Sequence, residues 1–141
     1  MSGLIGSAGS KSGVIGTTEL DYEEGTWTVT AGGASVTNLG ATLGYYFKIG
    51  NRVFFDFYSS ASTFTSPSGS AYITLPFTSA SGRYPLFTYE HGNAIDGSAR
   101  GGFVAPDSNR AYWLDAGNYT QASFIAGSSK YLMVSGNYLI Q

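Results

Sequence analysis

Between Thr26 and Thr30 apolar and polar positions alternate strictly, with Trp27 and Val29 on one side and three threonines on the other. A period of two marks a strand with one buried face. The clearest local pattern surrounds a turn. Two β-rich runs, Tyr45 to Ile49 and Arg52 to Tyr58, flank Gly50-Asn51, and a glycine-led pair supplies the positive φ that a two-residue hairpin loop requires. With that loop Phe47 pairs with Phe54 and Tyr45 with Asp56 on one face. Tyr46 then pairs with Phe55 and Lys48 with Val53 on the other face, which Phe57 shares. Both faces of the predicted hairpin are aromatic. A single core covers one of them, so the second is expected to meet another layer or another subunit, and Tyr45, Tyr46, Phe47 and Phe54 are the candidate oligomer-interface residues.

Further strands are predicted at Tyr72 to Leu75, Leu86 to Tyr89, Phe103 to Ala105, Ala111 to Leu114, Ala122 to Ile125 and Tyr131 to Ile140, while Ala31 to Gly40 reads as turn-rich. Short strands separated by Gly, Ser, Asn, Asp and Pro, with no helical period anywhere, predict an all-β fold, an antiparallel β-sandwich that is jelly-roll-like. This domain is expected over residues 19–141. Ahead of it, residues 1–18 are rich in Gly and Ser around two apolar pairs, Leu4-Ile5 and Val14-Ile15, with Lys11 as the only charged side chain. Such a stretch has too large an ordering entropy to build a core of its own. It is expected to be a flexible arm whose apolar pairs seat in grooves on a partner.

Composition narrows the class. Gly is 20 of 141 residues, about twice the usual share of roughly 7%, and Phe, Trp and Tyr together reach 16%, a mixture that suits strands and turns rather than helices. Charged side chains are 11% and the formal net charge is -2. So weak a field gathers neither phosphates nor anionic lipid, and no nucleic-acid partner is expected. No apolar run approaches the roughly 18 residues of a membrane helix, so no membrane insertion is expected either. Met1 to Gly16 lacks the basic start of a signal peptide, which argues against export by that route.

Candidate chemistry is sparse. The absence of cysteine removes disulfides, thiolate metal sites and a cysteine nucleophile together. The single histidine, His91, lies beside Glu90, but no G-x-S-x-G elbow accompanies it, and zinc would find only carboxylates such as Glu90 and Asp96 to complete its shell. Asp21, Glu23, Glu24, Asp107 and Asp115 are raw material for glycoside hydrolysis, which needs two carboxyl groups facing each other across a cleft. Their spacing in the chain assigns no such pair. No enzymatic activity, catalytic residue, metal or cofactor is expected. The run Arg110 to Asp115 offers Tyr112 and Trp113, with Tyr119 beyond it, as candidate saccharide contacts; the competing reading is that strand alternation buries one ring of the Tyr-Trp pair.

Four segments carry a resemblance. Asp21 to Thr28 resembles the Tyr-Glu-Glu-Gly-Thr-Trp-Thr opening of many tailed-bacteriophage structural proteins, fibre tips and small capsid-associated proteins among them. Gly44 to Val53 is similar to a Gly-x-Tyr-x-Lys-Ile-Gly-Asn-x-Val hairpin of that group, Ile73 to Phe77 to its Ile-x-x-Leu-Pro-Phe strand, and Val134 to Ile140 to its closing Ser-Gly-x-Tyr-Ile strand. Val29 stands where proline often follows the Trp-Thr, and Ser79 to Gly127 has no counterpart in the pattern.

The resemblance implies a virion protein, assembled in the host cytoplasm and typically homotrimeric, with a β-sandwich domain and an N-terminal attachment segment. On that footing Leu4, Ile5, Lys11, Val14 and Ile15 are expected to dock on the major capsid protein or another virion protein. The favoured role is a capsid decoration protein or short head fibre, because an arm of this length with no shaft or repeat suits fastening to a shell. The alternative is a tail-fibre tip that recognises a host surface glycan through the unmatched middle segment.

Overall fold

The alternating run at Thr26 becomes part of β1 (Tyr22–Thr28), and the hairpin becomes β4 (Leu43–Ile49) and β5 (Arg52–Thr65) in the computed structural model, which describes residues 21–89, 93–96, 99, 101–115 and 120–141. The other strands are β2 (Ala31–Gly32), β3 (Ser35–Asn38), β6 (Tyr72–Thr74), β7 (Leu86–Tyr89), β8 (Gly101–Val104), β9 (Arg110–Asp115), β10 (Thr120–Gln121) and β11 (Gly127–Leu139). Among the described residues there is no helix. All strand pairs are antiparallel, in one sheet ordered β1-β4-β5-β11-β7-β8-β9-β6-β2, with β3 added to β5 and β10 to β9.

The strand order explains the shape. β1 and β2 stand at opposite ends of that order, yet only Val29 and Thr30 separate them in the chain. Val29 N–H donates to Thr42 O at 2.7 Å on one side, and Thr30 O accepts from Thr74 N–H at 2.9 Å on the other. Two residues cannot span a flat sheet of this many strands, whose neighbours lie about 4.8 Å apart. The sheet therefore curls into a half-barrel, with its inner face as the core.

The hairpin register is the one its sequence predicts: Tyr45 opposes Asp56, Tyr46 opposes Phe55, Phe47 opposes Phe54 and Lys48 opposes Val53. Val53, Phe55 and Phe57 are buried on the inner face. Inside, the rings meet mostly edge-on. Trp27 packs against Phe55 at 6.4 Å between centroids, Phe55 against Tyr138 at 5.9 Å and Tyr46 against Phe77 at 5.0 Å. In the other half Trp113 is ringed by Phe87 at 5.4 Å and by Tyr89 and Phe124 at 5.9 Å. Such contacts add about 0.5–1.5 kcal/mol each beyond the area they bury.

Two of the sequence segments that carry the resemblance interlock physically. Trp27 of β1 opposes Gly44 of β4, and Tyr46 of β4 opposes Gly25 of β1. Each ring lies across the other strand's glycine: a Cβ on Gly44 would sit 2.4 Å from the Trp27 ring and one on Gly25 would sit 2.8 Å from the Tyr46 hydroxyl. The remaining two segments close over this pair, since Tyr138 O–H donates to Phe77 O and accepts from Phe77 N–H, both at 3.1 Å. Burial pushes the Tyr138 phenol well above its ordinary range, which keeps it neutral and able to donate.

Sequence patterning missed some elements. Ala31 to Gly40, expected as turns, holds β2 and β3, short strands fixed by Ile73 and Phe64 opposite them rather than by their own propensity. Ala122 to Ile125, expected as a strand, contributes one bridge, Phe124 to Ile95, and the ladder with β9 is made by Thr120 and Gln121 instead. β5 runs past the predicted end at Tyr58 to Thr65 through a bulge at Ala61, which has φ 58°. There the Ser59 and Ser62 hydroxyls both donate to Leu39 O, and Gly40, at φ +78°, passes so close that a Cβ would meet Ser60 O at 1.8 Å. Gly40→Ala is expected to cost at least about 2 kcal/mol, from the left-handed backbone and the clash together. A lowered urea midpoint at unchanged slope is the readout.

Candidate interaction face

The outer face of β1, β4, β5 and β11 carries large apolar side chains where a solvent-facing sheet normally carries polar ones. Leu43, Tyr45 and Phe47 of β4, Tyr58 of β5, Tyr22 of β1 and Met133 of β11 are all exposed, Tyr45 at 57%. Strand alternation puts them there, at the positions between the inward residues that build the core. Register then sorts them into rows. Glu24, Phe47, Phe54 and Asn137 form one row across four strands; Thr26, Tyr45, Asp56, Ser135 and Thr88 form the next. Tyr58 and Met133 oppose each other in a third, which Leu43 borders.

Between the rows run two grooves. The first, about 610 Å³, has Phe47 and Phe54 on one wall and Tyr45 and Asp56 on the other, with Gly25 and Gly136 in its floor. The second, about 650 Å³, lies between that same Tyr45–Asp56–Ser135 ridge and the apolar trio Leu43, Tyr58 and Met133. Phe47 and Phe54 stack at 4.6 Å with ring planes 8° apart. Each ring spends one face on the other, and both line the groove.

At the sheet end the charges are already paired. Lys48 Nζ lies 2.9 Å from a Glu23 carboxylate oxygen and 3.7 Å from one of Asp21, and the Tyr46 hydroxyl donates to Glu23 at 2.7 Å. The Lys48 ammonium, then the Tyr46 hydroxyl, hold the Glu23 carboxyl below its ordinary range, and Glu23 in turn raises Lys48. A lowered carboxyl pKa contributes stability that is present above the ordinary glutamate range and is lost as the pH falls through the lowered value. Glu23→Gln is therefore expected to destabilise at neutral pH and to lose that difference from wild type on acidification, read as urea midpoints between pH 7 and pH 3. Asp56 differs from these groups. Among the described residues its carboxylate has no ion pair or hydrogen bond.

The structure separates the other predicted site residues. Of the four candidate interface residues, Tyr45, Phe47 and Phe54 share the outer face, whereas Tyr46 points inward onto Phe77 and belongs to the core. Of the candidate saccharide contacts, Trp113 is fully buried and offers no stacking surface, a correction that follows from the alternation of β9. Tyr112 lies outward but is half-buried, stacked on Phe103 at 5.8 Å and tilted against Tyr72 at 5.3 Å, with the Arg110 guanidinium 4.6 Å over Tyr72. Tyr119, His91, Glu90 and the arm residues Leu4, Ile5, Lys11, Val14 and Ile15 lie outside the described residues.

No protein-family model matches this chain, and no curated protein does. Among the described residues no group of three or more His, Asp or Glu side chains sits close enough to hold a metal ion. No helix of the described chain is long and apolar enough to cross a membrane. The two grooves and their shared ridge make up the candidate site.

Proposed function

We propose that this chain is a non-enzymatic structural protein of a tailed-phage virion, a homotrimeric capsid decoration protein or short head fibre with a jelly-roll-like sandwich domain, whose N-terminal residues dock it on another virion protein. The observation that carries the reading is the outer face itself. Tyr45, Phe47, Phe54, Leu43 and Met133 form a contiguous apolar surface of the kind that marks a protein interface. The hairpin that presents it is also one of the four segments similar to phage proteins, and all four pack on one another through Trp27, Tyr46, Phe77 and Tyr138.

The alternative, a tail-fibre tip that binds a host glycan, is supported by one feature, the outward aromatic cluster of Tyr72, Tyr112 and Phe103, to which Tyr84, 64% exposed, adds a ring 5.7 Å from Phe103. Gold-labelled antibody against the chain, imaged on intact virions of its source, tests both. Label over the head is expected. Label at the tail end moves the role to the fibre tip, and unlabelled particles contradict a virion protein altogether.

A further inference from the structure

The Tyr45–Asp56–Ser135 ridge puts a carboxylate in the middle of an apolar face. Exposed to water, Asp56 needs no partner. Any protein that fills both grooves also covers the ridge between them, and a carboxylate removed from water without a counter-charge is strongly unfavourable. The occupant must therefore be apolar at two places with a single cation between them.

The cations of the described domain include three that are engaged: Lys48 with Glu23 and Asp21, Arg52 with Asn137, and Arg110 with Tyr72 and Tyr112. The required pattern stands instead in residues 4–15, where the apolar pairs Leu4-Ile5 and Val14-Ile15 bracket Lys11, the only charged side chain among residues 1–18. The residues between are Gly, Ser and Ala, small enough to let a backbone lie close to the sheet. The chain has length to spare. The groove floors at Phe55 and Phe57 are two residues apart along β5, about 7 Å. Extended, Lys11 to Val14 spans about 10 Å and Ile5 to Lys11 about 20 Å, so with a cation on the ridge both apolar pairs reach a groove, and the Gly, Ser and Ala residues between take up the slack by looping out.

We propose that this face is the seat of residues 4–15 of a second copy of the chain, with the two apolar pairs in the two grooves and Lys11 on Asp56. Twenty residues precede Asp21, whose carbonyl accepts from Gly50 N–H at the start of β1. Extended, such a segment reaches about 65 Å, against about 35 Å for the width of a domain this size, so it is long enough to cross to a neighbour. Each copy then gives an arm and receives one. This head-to-tail contact closes into a ring when the rotation between copies allows, and three copies make the proposed trimer. The inference rests on the assembly reading and names, as the virion protein on which the arm docks, another copy of the same chain.

Charge exchange on the full chain tests it. Sedimentation and light scattering are compared for wild type, Lys11→Asp, Asp56→Lys and the double exchange, with circular dichroism confirming the fold of each. Each single exchange is expected to raise the dissociation constant by about 30-fold or more, and the double exchange to recover most of that loss. Singles that assemble like wild type, a double no better than the singles, or a full-length chain that is monomeric at tens of micromolar would each overturn the proposal. Virion labelling fails or succeeds separately: gold on the particles with no charge rescue removes only the arm's seat, and charge rescue without gold removes only the phage setting.

Discussion

Trp113→Ala is expected to cost about 3–5 kcal/mol, the range for deleting a large buried aromatic side chain. The indole is fully buried and three rings contact it, Phe87 and Tyr89 nearly perpendicular and Phe124 tilted. Alanine leaves a cavity that strands β7, β8 and β9 cannot close, because Gly102 already brings β8 against the carbonyl of Tyr112. A loss of this size is a large fraction of the 5–15 kcal/mol that holds a typical domain together. Trp113→Phe is expected to cost no more than about half as much. Its smaller ring keeps part of the packing and also removes the indole N–H, which has no hydrogen-bond partner among the described residues and so carries a desolvation cost. Urea unfolding followed by circular dichroism checks both. Equal losses for the two variants would mean that a phenyl ring recovers none of the packing of the indole.

The second large effect falls on assembly rather than on folding. Tyr45 and Phe47 occupy the outer rows, and replacing both by serine removes no buried packing except the stack of Phe47 on Phe54. The domain is expected to stay folded, with a change in stability within about 1.5 kcal/mol. A hot-spot aromatic at the centre of an interface costs about 2 kcal/mol or more when truncated, so if either of the two is such an anchor the double variant weakens self-association by at least about 30-fold. Core and face are separated by opposite responses: Trp113→Ala lowers the urea midpoint, and the serine double variant lowers the oligomer mass at nearly constant midpoint. A double variant that associates like wild type would remove this face from the interface.

Much of the architecture was legible where local chemistry and tertiary structure agree. Gly50-Asn51 determines the loop, the loop determines the register, and the register determines which of Tyr45, Tyr46, Phe47 and Phe54 face outward. That Tyr46 belongs to the core follows from the same alternation, but only the structure supplies Phe77 as its partner, because that contact joins residues far apart in sequence. β2 and β3 were not legible: they are short, with Val36 as their one large apolar residue, and exist because the curl of the sheet brings Ile73 and Phe64 beside them. The half-barrel itself was equally hidden, since it depends on Val29 and Thr30 joining the two ends of the strand order. For the site, alternation alone resolves the Tyr112-Trp113 pair into an outward and an inward ring but does not say which. The grooves and their ridge require the pairing of four strands, and the one signal for them in the sequence is an aspartate in an otherwise aromatic hairpin, Asp56.

The central claim is that the apolar outer face is covered by other copies of the chain. Light scattering of the unmodified full-length protein at micromolar concentration tests it most directly. The account predicts a single species with three times the 14.9 kDa mass of the chain; a monodisperse monomer would contradict it.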